Sequence, residues 1–321
     1  MDLSCNLAGL VIKNPVIAAS GVFGYGEEYA RAGDIGWFGA VTVKGTTLRP
    51  RKGNAPPRIC ETPYGLLNSI GLENPGARAV IDEKLPWLAR FGVPIIVNIS
   101  GDSYDEFAEI SRMFSGSPHV SAIEVNVSCP NVSAGGMAFG TDPRSCYRAT
   151  RAVRHNWDGP LIVKLTPNVQ DIGAIARAAA EGGADVISLV NTLVGMAIDI
   201  RARKPVLGNI KGGLSGPAIK PVALRCVWEV SQAVSVPVIG MGGVSTSDDA
   251  LEFIMAGASA VAVGTGVLVD PAAPIKIVKG LEQYCDSHGI SALQTLVGAA
   301  WKPEAQTTQD SGSNKDDGRR S

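Results

Sequence analysis

Eight short apolar runs, rich in β-branched residues, recur along the chain: NPVIAAS (14–20), AVTVKG (40–45), PIIVNIS (94–100), AIEVNVS (122–128), LIVKLTP (161–167), DVISLVN (185–191), PVIGMGG (237–243) and AVAVGTG (260–266). Near-continuous hydrophobicity over so few residues marks strands buried on both faces, as in a parallel sheet. Each run also finishes on a polar residue or glycine: Ser20, Lys44, Asn98, Asn126, Lys164, Asn191, Gly242 and Gly264. In a closed parallel barrel all these ends emerge at one face, where such folds place their chemistry. Helical patterns lie between most of the runs. The stretch 171–182 (DIGAIARAAAEG) opens on an acid and closes on glycine, and 247–257 (SDDALEFIMAG) offers Ser247 as N-cap and Gly257 as stop. The pattern predicts an α/β fold, a (β/α)8 TIM barrel preceded by an N-terminal hairpin.

Three segments exceed an ordinary βα loop: 46–78, 129–143 and 193–217. All follow strand C-termini, so they are expected to build and cover a pocket at that face. The chain has 321 residues, enough for one barrel of roughly 250 residues with insertions. The expected division is a single domain over 1–302 and a polar, disordered tail over 303–321.

Composition narrows the function classes. Hydrophobic residues make up 45% and charged residues 18%, which suits a large core, and the formal net charge of -1 gives no basic excess for a nucleic-acid partner. No run approaches the roughly 18 apolar residues of a membrane helix, and the first twenty residues do not read as a leader peptide. The six cysteines are scattered without C-x-x-C pairs, which predicts reduced thiols and a cytoplasmic protein without a metal site. His119, His155 and His288 lack metal-ligand spacing and are expected on outer loops or helices.

Lys44 and Lys164 interrupt runs otherwise fit for a core. Either they snorkel to solvent at the rim, or they face an anion or electron-rich cofactor over the mouth. Gly242–Gly243 and Gly264-Thr265-Gly266 follow the last two strands; they are tight turns, or the phosphate cradle that barrels commonly place there, to which Gly216 could add. Asn68, Asn98, Asn126 and Asn191 are structural hydrogen-bonders singly, but together suit a planar ligand bearing amides and carbonyls. Cys129, before Pro130, is open to two readings: a small buried hydrophobe, or a general base if neighbours lower its pKa.

The motifs AASGVFGYG (18–26), VKGTTLRPRKGN (43–54), LLNSIGLENPG (66–76), NVSCPNVS (126–133), VKLTPN (163–168) and GMGGVSTSDDA (240–250) together resemble class 1 dihydroorotate dehydrogenases, over roughly residues 3–300. The resemblance implies oxidation of (S)-dihydroorotate to orotate in pyrimidine biosynthesis with one FMN per chain. It implies FMN contacts at Ser20, Lys44, Gly45, Asn98, Asn126, Lys164, Val190, Gly216, Gly242, Gly243, Gly264 and Thr265. It implies substrate contacts at Lys44, Asn68, Ser69, Ile70, Gly71, Leu72, Asn126, Asn191 and Thr192, with Cys129 as the base for the C5 proton while hydride leaves C6. GVFGYGEE and TTLRPRKGN resemble the NAD-linked class 1B in particular. That class works with an electron-transfer subunit carrying FAD and a [2Fe–2S] cluster, around a homodimer core within a heterotetramer. Alternatives are the fumarate-linked class 1A, an FMN barrel acting on another pyrimidine, a tRNA dihydrouridine synthase, or a catalytically silent scaffold.

Overall fold

The computed structural model describes residues 1–128 and 139–301. Its eight central strands follow the predicted runs, trimmed at the ends: β1 (Val16–Ala18), β2 (Ala40–Thr46), β3 (Ile95–Ile99), β4 (Ala122–Asn126), β5 (Leu161–Leu165), β6 (Val186–Leu189), β7 (Val238–Met241) and β8 (Ala260–Val263). Each pairs in parallel with the next in the chain, and β8 pairs with β1 to close the barrel.

Alternate residues along each strand face opposite ways, and the two sets have different fates. Val41, Val43, Val97, Ile123, Val163 and Ile187 face outward into the core shared with the helices. The other set fills the interior, and its character changes along the barrel. At the N-terminal end it is apolar: Ala40, Ile96, Ala122, Ile162, Val186, Ile239 and Ala260 pack against Cys5, Leu7, Leu10 and Ile12. Those four come from the antiparallel hairpin Cys5–Leu7 and Leu10–Ile12, which plugs that end of the barrel. Toward the C-terminal end the same set becomes Lys44, Asn98, Glu124, Lys164 and Ser188.

Helices α1 (77–89, with a π turn at Val80–Lys84), α2 (Tyr104–Ser115), α3 (Pro143–Arg154), α4 (Ile172–Glu181), α5 (Lys220–Ala233), α6 (Ser247–Met255) and α7 (Ala273–Ser287) surround the barrel. The connection from β1 to β2 holds only short turns, tied by the packed rings of Phe23, Tyr29 and Phe38. Asp171 caps α4 by accepting from Ala174 N at 2.9 Å. The expected cap of α6 is displaced by one residue. Thr246, not Ser247, is the N-cap, because Thr246 and Asp249 satisfy each other's backbone N–H groups in a capping box, leaving Ser247 as the first helical residue. Gly257, at φ +119°, follows the last turn as anticipated.

The largest departure from the sequence reading lies in two segments expected as loops. Strands Ile59–Thr62 and Gly65–Asn68 from 46–78 join Leu193–Gly195 and Gly212–Ser215 from 193–217 in one antiparallel sheet at the barrel mouth. His119 lies on a loop, while His155 and His288 cap the ends of α3 and α7. The tail 303–321 and most of 129–143 lie outside the described residues.

Candidate active site

The hairpin plugs the opposite end, and among the described residues the barrel opens at its C-terminal mouth into a cavity of about 520 Å³. That volume suits a cofactor or small-ligand site. Every FMN- and substrate-side residue named from the resemblance lines this cavity. Cys129 is the exception: it lies outside the described residues.

The floor comes from the barrel strands. Between Val43 and Thr46, β2 carries one residue more than β3 does between Val97 and Ile99, so Lys44 and Gly45 form a bulge opposite Asn98. Bulges re-aim side chains beside functional sites, and this one brings backbone close to the cavity floor. A Cβ on Gly45 would stand 3.0 Å from Asn98 Oδ1 and 3.1 Å from Leu72 Cδ2. Gly45→Val should therefore overpack the floor and destabilise the protein by about 1–3 kcal/mol. A urea midpoint equal to that of the parent would show that the floor yields freely.

Lys164, only 6% exposed, reaches Ser20 Oγ at 3.4 Å. Lys44 has no carboxylate within 4 Å among the described residues, so its ammonium faces the cavity without a counter-ion. Burial holds its pKa below that of a free lysine; Glu73 opposes that shift, while Arg58 and Lys164 reinforce it. The rim-snorkelling reading of both lysines thus gives way to the cavity-facing one.

Asn98 is fully buried. Its Nδ2 donates to Glu124 Oε2 at 2.5 Å, while its Oδ1 has no partner among the described residues. Asn126 Oδ1 accepts from Ser128 N at 3.1 Å, and Ser128 Oγ donates to the Lys164 carbonyl at 3.0 Å. Asn191 Oδ1 accepts from Thr192 N at 2.8 Å, and Asn168 Nδ2 donates to the Thr192 carbonyl at 2.9 Å.

One wall is the segment 68–72, held by neighbours on both sides. Asn68 Nδ2 donates to the Gly213 carbonyl at 3.2 Å, joining this wall to the mouth sheet. Asn54 Nδ2 donates to both the carbonyl and hydroxyl of Ser69, and Asn54 N to the Ile70 carbonyl. Buried Asn74 accepts from Thr47 N and Gly76 N and donates to the Leu72 carbonyl. This scaffold sustains positive φ at Gly71 and at Leu72, a conformation that non-glycine residues rarely adopt.

The far edge is glycine-lined. Gly216, Gly242 and Gly243 all have positive φ, and Gly264 precedes the short helix Thr265–Val269. Gly243 has a second reason to be glycine, since a Cβ there would stand 2.7 Å from Lys220 Cβ. Val190 lies between this edge and Asn191, and Thr265 Oγ1 donates to Ser215 Oγ at 2.8 Å. The residues missed from sequence are Glu124, Ser188, Asn168, Ser215 and Lys211. Glu124 could have been found from parity, since it stands two residues before Asn126 on the same strand face.

The other described cysteines are structural in character. Burial pushes the thiols of Cys5 and Cys146 up to about 12 and raises those of Cys226 and Cys285. Cys60 is half-buried on the mouth sheet. Among the described residues no three His, Cys, Asp or Glu side chains converge as a metal site, and no helix is long and apolar enough to cross a membrane.

A family model described as dihydroorotate dehydrogenase matches residues 2–285. The chain belongs to the dihydroorotate dehydrogenase family. It is 56% identical over 294 residues to the "Dihydroorotate dehydrogenase B (NAD(+)), catalytic subunit" of Desulforudis audaxviator, covering 92% of this chain and 96% of that protein. The protein of the same name from Geobacillus kaustophilus is 51% identical over 303 residues, covering 94% and 97%. These relatives carry the name of the NAD-linked class that the GVFGYGEE and TTLRPRKGN stretches resemble. A crystal structure of the enzyme from Eimeria tenella, in complex with ferulenol, superposes with a TM-score of 0.79 at 23% identity, over 94% of this chain and 89% of that one. That likeness concerns the fold.

Proposed function

We propose that the protein is the catalytic subunit of an NAD-linked dihydroorotate dehydrogenase, oxidising (S)-dihydroorotate to orotate in the pyrimidine pathway. The observation that carries this reading is the convergence of Lys44, Lys164 and the four asparagines on one cavity with a glycine-lined edge. The substrate is a cyclic ureide bearing a carboxylate, puckered at C5 and C6 and flattened on oxidation to orotate, so it needs a cation at one end and two-way hydrogen-bonding amides along the other. Lys44 takes the carboxylate, while Asn68, Asn126, Asn191 and Thr192 take the ring, on a wall built from 68–72.

The residues also fit FMN. Lys164 offers a positive charge from the floor, Asn98 Oδ1 an unused buried acceptor, and the Gly242–Gly243 and Gly264–Thr265 edge bare backbone for a phosphate. Bound FMN supplies the acceptor for the hydrogen leaving C6. Cys129 takes the C5 proton, a task that asks for a thiol poised near neutral pH. We place the onward electron path on a partner subunit with FAD and a [2Fe–2S] cluster, two such pairs forming a heterotetramer around a homodimer core in the cytoplasm.

Anaerobic titration tests this directly. Dihydroorotate should bleach the flavin band of the purified protein, and NAD⁺ alone should not restore it until the partner subunit is added. Restoration by fumarate without a partner would move the protein to the fumarate-linked class. A yellow protein that dihydroorotate leaves unbleached would mean that the barrel serves another substrate. The same bleaching in Cys129→Ala would remove the cysteine from the mechanism.

A further inference from the structure

Glu124 is a carboxylic acid sealed in the middle of the barrel, 3% exposed, and nothing in the proposed reaction uses it. No lysine, arginine or histidine among the described residues forms an ion pair with it. Its two oxygens are instead occupied by neutral donors inside the barrel: Asn98 Nδ2 on the neighbouring strand β3 at 2.5 Å and Ser188 Oγ on β6, two strands away, at 2.7 Å. Burying an acid in this way is costly, so the arrangement calls for a reason.

The reason lies in the symmetry of an amide. The two ends of the Asn98 side chain have the same shape, and packing alone would not decide which one faces the cavity. Both Glu124 oxygens act as acceptors, so the side chain draws the NH₂ end of Asn98 to itself and leaves Oδ1 pointing the other way. That oxygen is the buried, unpartnered acceptor of the cavity floor, on a residue with no exposure of its own. In the reverse orientation two oxygens would meet at hydrogen-bond distance and the floor would offer a donor. Ser188, by occupying Oε1, keeps the carboxylate turned toward Asn98.

We propose that Glu124 is a positioning residue: it fixes the amide of Asn98 so that the cavity floor presents an acceptor to a ring N–H of the bound flavin. The proposal rests on the FMN reading above. It assigns Glu124 no contact with the cofactor and no proton transfer; its effect passes through Asn98.

Exchange of roles provides the test. Glu124→Gln keeps the volume but offers both a donor and an acceptor, so both orientations of Asn98 become satisfiable and the lock is lost. Asn98→Asp sets two carboxylates against each other. In the variant carrying both substitutions, the amide introduced on β4 donates to the carboxylate introduced on β3. The other oxygen of that carboxylate again faces the cavity, so the hydrogen-bond pattern returns with its partners exchanged. FMN dissociation is read from the fluorescence of flavin released on dilution of the purified proteins, with the apoprotein melting temperature as the control for folding. Glu124→Gln should raise the Kd about tenfold and Asn98→Asp at least as much. The double variant should bind more tightly than either single one. Ser188→Ala, a smaller change that leaves both partners in place, should raise the Kd about threefold.

An unchanged Kd in Glu124→Gln, or a double variant whose loss is the product of the single losses, would overturn the positioning role. A parent protein that binds no FMN would instead overturn the flavin reading on which it rests.

Discussion

Lys44→Met is expected to give a folded, flavin-containing protein whose kcat/KM for dihydroorotate has fallen about a thousandfold, or roughly 4 kcal/mol of transition-state stabilisation. The lysine sits in the β2 bulge, lines the cavity and has no counter-ion among the described residues, so its natural partner is the ligand. The same geometry predicts a gain in stability. Burial first, then Arg58 and Lys164 against the opposing pull of Glu73, hold the Lys44 pKa below its unfolded value. Between the folded and unfolded pKa values the unfolded chain binds the extra proton, so stability rises with pH across that window. Below it the folded protein carries a buried charge at full cost, and at pH 7 removing that charge should raise the melting temperature of the ligand-free protein. The advantage of the methionine variant should shrink as the pH rises toward 10.5. Steady-state kinetics and melting curves from pH 7 to 10 check both halves. A kcat/KM within tenfold of the parent would take Lys44 out of substrate binding.

Phe38→Ala should cost about 3–5 kcal/mol, a large share of the roughly 5–15 kcal/mol that holds a typical domain folded. The ring is fully buried, meets Phe23 edge-on at 5.9 Å and Tyr29 at 5.3 Å, and Tyr29 in turn donates to the Pro271 carbonyl. No full helix covers the β1–β2 connection, so this aromatic cluster does the covering. Phe23 ends the turn that begins with Ser20, so the gap should also loosen the Ser20–Lys164 contact and lower flavin content. Urea denaturation would show the loss as a lower midpoint at unchanged slope. A loss under about 1 kcal/mol would mean that Phe23 and Tyr29 collapse into the vacated space.

The strand runs were legible because a barrel strand buried on both faces must be apolar nearly throughout, and the residues at its C-terminal end are the first free to be otherwise. That alone marked Lys44, Asn98, Lys164 and Asn191 as neighbours, although they come from strands far apart in the chain. The N-cap of α6 was misplaced by one residue because Thr246 and Ser247 are chemically equivalent caps; only the reach of Asp249 chooses between them. The four-stranded mouth sheet could not be read at all. Its strands are three or four residues long, too short for a periodic signal, and the pairing that joins its two halves, Gly213–Ser215 with Leu66–Asn68, spans more than a hundred residues. Glu124 and Ser188 were hidden for a related reason. Within AIEVNVS and DVISLVN they pass as single polar breaks in apolar runs, and only barrel closure sets them against each other and against Asn98. Residue order alone dictated the barrel and the end at which its chemistry lies, because burial selects residue type one strand at a time. Folding in three dimensions settled which amide end faces the cavity and which distant loops wall it, because those choices depend on hydrogen bonds between segments that meet only once the barrel closes.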